Sequence, residues 1–387
     1  MFLEQTLKRN PELIKASFDL HQSGQIQPDS YVIDVDTFLE NALFMLNEAK
    51  KKEIRLFFML KQAGRNPYLA GKLVDLGYEG AVVVDYKEAK VMMDHRIPIA
   101  NAGHLVQIPA AQIEAMVAYR PRMITVYSEE KISQIHEAAK KLGLLQEIVL
   151  RVYSDQDTVY SGQTAGFHLD AIKDLADRIK TQYPCVRIVG VTSFPCFLYD
   201  EGSHDLVPTG NMETVKQAAE ILKKQGFLLS IINTPSASCT YTLNKIRELG
   251  GNCAEPGHGL TGTTPLHADQ MLAEVPCVTY VSEISHNFKG QAYCFGGGYY
   301  RRSHVKSALV GTSFDNYTKM GVIPPTSESI DYHFGLTKEG AVGDTVVMAF
   351  RYQMFVTRSD VVLVEGLKKK KPQIVGIYDS MGKKMES

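Results

Sequence analysis

The sequence predicts an α/β chain in which a (β/α)8 barrel is followed by a mostly β domain, and three observations carry that prediction. From about residue 37 to 265, short apolar runs alternate with amphipathic segments whose apolar residues recur at three- and four-residue spacing. After about residue 270 the helical period disappears, and turns rich in Gly, Pro and Asp separate strand-like runs. No Gly-rich turn follows the first strand, although an open doubly wound sheet that grips a phosphate would need one there.

Eight strand candidates fall at 54–60, 80–85, 97–101, 123–127, 147–153, 186–193, 228–234 and 252–257. Eight strand–helix repeats are the number that closes a barrel. Between them lie helical segments such as NPYLAGKLVDLG, EEKISQIHEAAKKLG and METVKQAAEILKKQG, each ending at a glycine. Ahead of the barrel, SYVIDVDT (30–37) reads as a further strand that pairs with the second domain. The expected division is an N-terminal helix and strand over 1–36, the barrel over 37–265 and the β domain over 266–387.

Composition narrows the function classes. Forty-two Lys and Arg against 43 Asp and Glu leave a net charge of −1, which points away from nucleic acid or a membrane as partner. The N-terminus is amphipathic and charged, with no apolar core of a leader, and no apolar run reaches membrane-spanning length, so a cytoplasmic protein is expected. The six cysteines are scattered without a C-x-x-C pair and read as buried free thiols. Eleven histidines form no H-E-x-x-H and no set with metal-ligand spacing, so no metal is expected.

In such a barrel, chemistry collects at the C-terminal ends of the strands. Strand one ends FFMLK, and Lys61 directly follows four apolar residues. A lysine in a desolvated barrel mouth keeps a neutral, nucleophilic amine, although a strand-end lysine that snorkels to water fits the position equally well. Strand seven ends in a hydroxyl cluster of Ser236, Ser238, Thr240 and Thr242. Strand eight ends AEPGHGLTG, where Gly257, Gly259 and Gly262 would let backbone N–H groups approach an anion. Hydroxyls and glycines after the last two strands make the usual barrel phosphate site.

These features together resemble the fold-type III pyridoxal-phosphate enzymes, a family that includes alanine racemase, ornithine and diaminopimelate decarboxylases, and the D-threonine aldolase and D-serine dehydratase group. The resemblance spans about residues 30 to 365, begins with YVIDVDTFLEN, and is nearest to the alanine racemase-like YhfX family, whose reaction it does not supply. It implies pyridoxal 5′-phosphate as cofactor and Lys61 as the Schiff-base lysine. It also implies Arg151, at the end of strand five, as a basic residue near the cofactor. Phe194 stands where the family commonly stacks a histidine on the pyridine ring. NTPSAS matches a phosphate-binding segment, and EPGHG resembles the Glu-Pro-Gly in which a glutamate, here Glu255, bonds the pyridine nitrogen. His258 in that segment either contacts the cofactor or faces solvent. CFGGGYYRR resembles the Gly-Gly-Gly-Tyr segment of alanine racemase, which makes Tyr299 an acid/base reaching across a homodimer. Phe350 and Gln353 stand near the place where the D-threonine aldolase group carries a His/Cys metal pair.

Three reactions on an amino acid fit this resemblance. A racemase needs a base on each face of Cα, supplied by Lys61 and by Tyr299 of the partner subunit. A decarboxylase fits Glu255, and a lyase fits the C-terminal stretch. A non-catalytic single-barrel cofactor-binding protein shares the lysine but lacks a second domain.

Overall fold

The computed structural model describes residues 1–386, which form two compact units. One comprises Met45–Leu60 and Pro67–Gly257; the other comprises Met1–Phe44, Lys61–Asn66 and the described residues from His258 onward.

The first unit is the barrel. Its parallel strands run Arg55–Leu56, Ala81–Val82, Ile99–Ala102, Met123–Val126, Gln146–Tyr153, Val186–Thr192, Ile231–Asn233 and Cys253–Ala254. The eighth strand pairs with the first, and a parallel bridge between Phe58 and Ala81 joins the first to the second, so the sheet closes. All eight strands coincide with the eight apolar runs of the sequence. Phe57, directly after the first strand, and Val82, Ala100, Met123, Val149, Val189, Ile231 and Cys253, one residue from each of the others in turn, pack together as a dry interior layer. Side chains alternate between faces along a strand, so the residue two positions on points the same way. On four strands that step changes apolar to polar: Met123 to Thr125, Val149 to Arg151, Ile231 to Asn233 and Cys253 to Glu255. On these four strands the floor of the mouth follows the period of two; Asn101, next to Ala100, and Thr192, three residues past Val189, reach the same network where the register shifts between the second and third and between the fifth and sixth strands.

The surrounding helices form for local reasons. Glu129–Leu142 starts at Ser128, whose hydroxyl accepts the Lys131 N–H, and stops at Gly143 in the left-handed conformation at φ 65°. Ile132, Ile135, Ala138 and Ala139 make its buried stripe. No helix among the described residues is long and apolar enough to cross a membrane.

In the second unit, six antiparallel strands close on themselves in the order Gln291–Phe295, His333–Leu336, Asn316–Ile323, Ser307–Ser313, Thr345–Met348 and Val278–Phe288. Three more strands extend it, with Ser30–Asp34 lying antiparallel to Val278–Phe288 and parallel to Asp360–Glu365. Helices Phe2–Arg9 and Pro11–Gln22 lay Phe2, Leu3, Ile14 and Phe18 on Leu309 and Val347. Three strands between 307 and 336 are additions to the sequence reading. In the sequence GQAYCFGGGYY (290–300) and GDTVVMAFRYQMF (343–355) each read as one strand; in the structure the first ends as strand at Phe295 and the second at Met348. Five of the six cysteines are buried free thiols and Cys185 is half-buried; burial pushes the Cys253 and Cys294 thiols up to about 12.

Gly190 shows how tightly the barrel is closed. A Cβ there would lie 2.1 Å from the Ile231 carbonyl oxygen and 2.5 Å from its Cβ. Gly190→Val is expected to destabilise the protein by about 3 kcal/mol or more through overpacking, read as a lower urea midpoint; an unchanged midpoint contradicts the close approach.

Candidate active site

The mouth of the barrel holds a buried carboxylate. Glu255 follows the eighth strand, and its Oε1 accepts from Asn101 Nδ2 at 3.0 Å and from Asn233 Nδ2 at 2.8 Å. The Thr125 hydroxyl donates to Asn101 Oδ1 at 2.8 Å, which turns the Asn101 NH2 toward the glutamate. Asn233 also points its amide at Thr192 Oγ1, 3.3 Å away, while its own Oδ1 is buried without a hydrogen-bond partner. His104, fully buried, places Nε2 3.4 Å from Glu255 Oε2. A buried carboxylate needs such donors.

Beside it, Arg151 is fixed in a pocket of its own. It donates to Tyr127 OH at 2.9 Å and to the Gln163 carbonyl at 2.7 Å, and its guanidinium lies 4.9 Å from the Tyr127 ring centroid. The Phe194 ring meets the His104 imidazole edge-on, with centroids 5.9 Å apart, and tilts against Tyr160.

The turn after the seventh strand separates the hydroxyls named from sequence. Ser238 Oγ accepts the Glu255 backbone N–H at 3.3 Å, tying this turn to the carboxylate. Thr240 opens the helix Thr240–Glu248, and the Thr242 hydroxyl caps that helix by accepting the Cys239 N–H at 3.1 Å, so Thr242 is structural. Ser236 and Ala237 both adopt positive φ, 99° and 51°. Among the described residues, no protein group accepts the N–H groups of Ser236, Ala237 or Ser238. Consecutive N–H groups left without acceptors, ahead of a helix N-terminus, are a donor set suited to an anion.

In the other unit, Lys61 opens the short 3-10 turn Lys61–Ala63, directly after Leu60. His258 is buried, which settles its alternatives against solvent exposure. Its Nδ1 lies 2.8 Å from Thr263 Oγ1 and its Nε2 lies 3.4 Å from the Gln353 amide nitrogen. Burial, and then the charges of Arg351, Lys61 and Arg302, hold its imidazole well below the usual range, so it is neutral. Gly257 and Gly259 are buried; the Gly262 N–H donates to the Gly259 carbonyl at 3.2 Å, so Gly262 shapes the turn and offers no donor to an anion.

Tyr299 sits on a loop beyond the strand that ends at Phe295, half-buried, with its ring edge-on to Phe334 at 5.8 Å. Asp331 Oδ2 accepts the backbone N–H groups of Gly297 at 3.0 Å and Tyr299 at 2.7 Å. On the other side, the Asp29 carboxylate accepts from Tyr280 OH at 2.8 Å and from Ser359 Oγ at 2.5 Å.

Comparison with known proteins places this arrangement. Residues 33–265 match the alanine racemase N-terminal domain, and residues 279–374 match the YhfX-like C-terminal domain. The Escherichia coli uncharacterized protein YhfX is 45% identical over 383 residues, 99% of each chain. The chain belongs to the alanine racemase-like family. Among solved structures, D-threo-3-hydroxyaspartate dehydratase from a Delftia species is 15% identical at a TM-score of 0.66, covering 90% of this chain and 97% of its own. An alanine racemase of Clostridium difficile in complex with cycloserine is 18% identical at 0.63, covering 91% and 98%. At these identities the likeness is one of fold.

This family is the fold-type III group of pyridoxal-phosphate enzymes. The residues here fit such a cofactor: the unaccepted N–H groups at 236–238 suit a phosphate, and the buried Asn233 Oδ1 lacks a partner. Asn101, His104 and Asp331 carried no sequence assignment, and Asn233 stood only as the first residue of the segment NTPSAS. Asn101, His104 and Asn233 each had a signal, since Asn101 and Asn233 lie in the third and seventh strands and His104 lies two residues past the third.

The loop's other carboxylate also has a measurable signature. Burial pushes Asp29 up to about 6 from 3.8, against the opposing donors Ser359 and Tyr280. The folded state therefore holds this proton more tightly than the unfolded state, so Asp29 lowers stability as pH rises from about 4 to about 6 and adds no further slope above. Asp29→Asn is expected to flatten that part of the stability profile, measured as urea midpoints across the interval; an identical slope in the variant contradicts the assignment.

Proposed function

We propose that this chain is a pyridoxal 5′-phosphate enzyme that inverts Cα of an amino acid, a racemase acting as a homodimer. The observation that supports it most is the turn 236–238, whose N–H groups no protein group accepts, tied through Ser238 to the braced carboxylate of Glu255. Bound there, the cofactor would supply the electron sink that makes the Cα–H of an amino acid acidic. Lys61 would hold the cofactor covalently through its amine. Ser236, Ser238, Thr240, Gly257 and Gly259 would surround its phosphate. Glu255 would face its pyridine nitrogen, Phe194 its ring, and Arg151 and His258 its polar edge.

In this reading the chain's own acid/base groups act on opposite faces of Cα. Lys61 takes or returns the proton on one face, and Tyr299 of the partner subunit does so on the other. A second reading, an amino-acid decarboxylase or lyase, is favoured by Glu255, because a carboxylate at the pyridine nitrogen strengthens the electron sink and suits bond cleavage as well as inversion.

Two variants test the proposal. Lys61→Ala is expected to lose the visible absorbance of the loaded protein and to carry no cofactor after borohydride reduction, read by intact mass; a retained adduct overturns the lysine assignment. With a panel of L- and D-amino acids in D2O, the native chain is expected to invert one of them. Tyr299→Phe is expected to lose inversion by about 10²- to 10⁴-fold while Cα deuterium exchange from the lysine face persists. Carbon dioxide or a carbonyl product in place of inversion favours the second reading.

A further inference from the structure

The three consecutive glycines before Tyr299 have a physical cause in their surroundings. A Cβ at Gly296 would lie 2.5 Å from Asp331 Oδ1, and one at Gly297 would lie 1.9 Å from Asp29 Oδ2. At Gly298 it would lie 2.3 Å from the Tyr280 ring and 2.8 Å from Ser359 Oγ. All three glycines are buried, and Gly297 has φ 137°, which glycine alone adopts easily. Two carboxylates and a tyrosine ring press on the segment so closely that it has room only for backbone.

That backbone is held at nearly every polar group. Asp331 Oδ2 accepts from the N–H groups of Gly297 and Tyr299. Tyr31 OH donates to the Gly298 carbonyl at 2.5 Å. The Gly296 N–H donates to the Tyr332 carbonyl at 2.8 Å, and Arg358 Nη2 donates to the carbonyls of Gly296 at 3.1 Å and of Asp331 at 2.6 Å. Arg358 Nε also lies 3.8 Å from Asp29 Oδ2, so one guanidinium braces both sides of the loop. Of all these contacts, only the one from Asp331 reaches Tyr299's own backbone. Its other oxygen, Oδ1, is buried and has no hydrogen-bond partner.

We infer that Asp331 is a positioning residue for Tyr299: its carboxylate, by accepting the Gly297 and Tyr299 N–H groups together, fixes the tyrosine's backbone and hence where its hydroxyl is presented. This rests on the acid/base reading of Tyr299 given above. Asp331 touches no reacting atom in this scheme; it removes conformational freedom from the residue that does. Two N–H donors on one carboxylate oxygen are charge-assisted bonds, stronger than their neutral counterparts.

The test uses the full chain and begins with a measurement independent of substrate. In Asp331→Ala, amide hydrogen exchange in peptides spanning 296–300 is expected to accelerate about tenfold or more, by loss of two bonds to a charged acceptor. Asp331→Asn keeps a carbonyl acceptor and is expected to recover most of the protection. In the loaded protein, Asp331→Ala is expected to lower inversion about tenfold or more while Cα exchange from the lysine face and KM stay near native values; general destabilisation would lower both faces alike. Native-like exchange and inversion in Asp331→Ala, with inversion abolished in Tyr299→Phe, overturn this inference alone. Full inversion in Tyr299→Phe overturns the two-base reading and the inference with it.

Discussion

Closure of the parallel sheet is the constraint on which the rest of the barrel depends. Because the Phe58–Ala81 bridge leaves no free edge, every strand is paired on both sides and cannot slip by one residue without turning its inward set outward. The dry layer from Phe57 to Cys253 fixes that register, and on four strands the polar residue two positions further on follows from it. Glu255 and Arg151 therefore owe their places to Cys253 and Val149 as much as to their own hydrogen bonds.

The polar layer shows how a buried charge is kept. Glu255 meets two amide donors on one oxygen and a histidine on the other side, with Thr125 holding one amide in the required orientation. Removing one member of such a set leaves its partners unsatisfied in a low-dielectric interior, which is why partial networks cost more than apolar substitutes. The neutral state of His258 has a different origin, since burial and a ring of cations disfavour its proton.

Much of this was legible in the sequence because the barrel's signals are repeated eight times. Each apolar run lies between helical segments, so a weak local pattern was confirmed by its neighbours. Lys61 was visible as a polar residue at the end of an apolar run, and Glu255 through the resemblance of EPGHG to a Glu-Pro-Gly segment. Asn101 and His104 were less visible, because IPIANAGH has neither the hydroxyls nor the glycine clusters that single out the last strands, and their importance comes from Glu255, 154 residues away from Asn101. The strand Asn316–Ile323 was hidden because its first four residues are exposed and polar. The segment before Tyr299 read as a continuation of its strand, since the carboxylates that bend it away come from residues 29 and 331, too distant for any local pattern to report.

The strand Ser30–Asp34 has a consequence for the order in which the chain acquires its structure. It lies between Val278–Phe288 and Asp360–Glu365, partners that leave the ribosome some 250 to 330 residues later. The barrel residues from Met45 to Leu60 and Pro67 to Gly257 are all synthesised in the interval and have most of their contacts available while the first strand still has neither of its strand partners. Domains fold largely as units as they emerge, and contacts of long sequence separation form late. The earliest strand to be made is thus among the last to be paired, and until translation nears its end the nascent chain carries SYVID covered only by the helix Pro11–Gln22, without the sheet it will join.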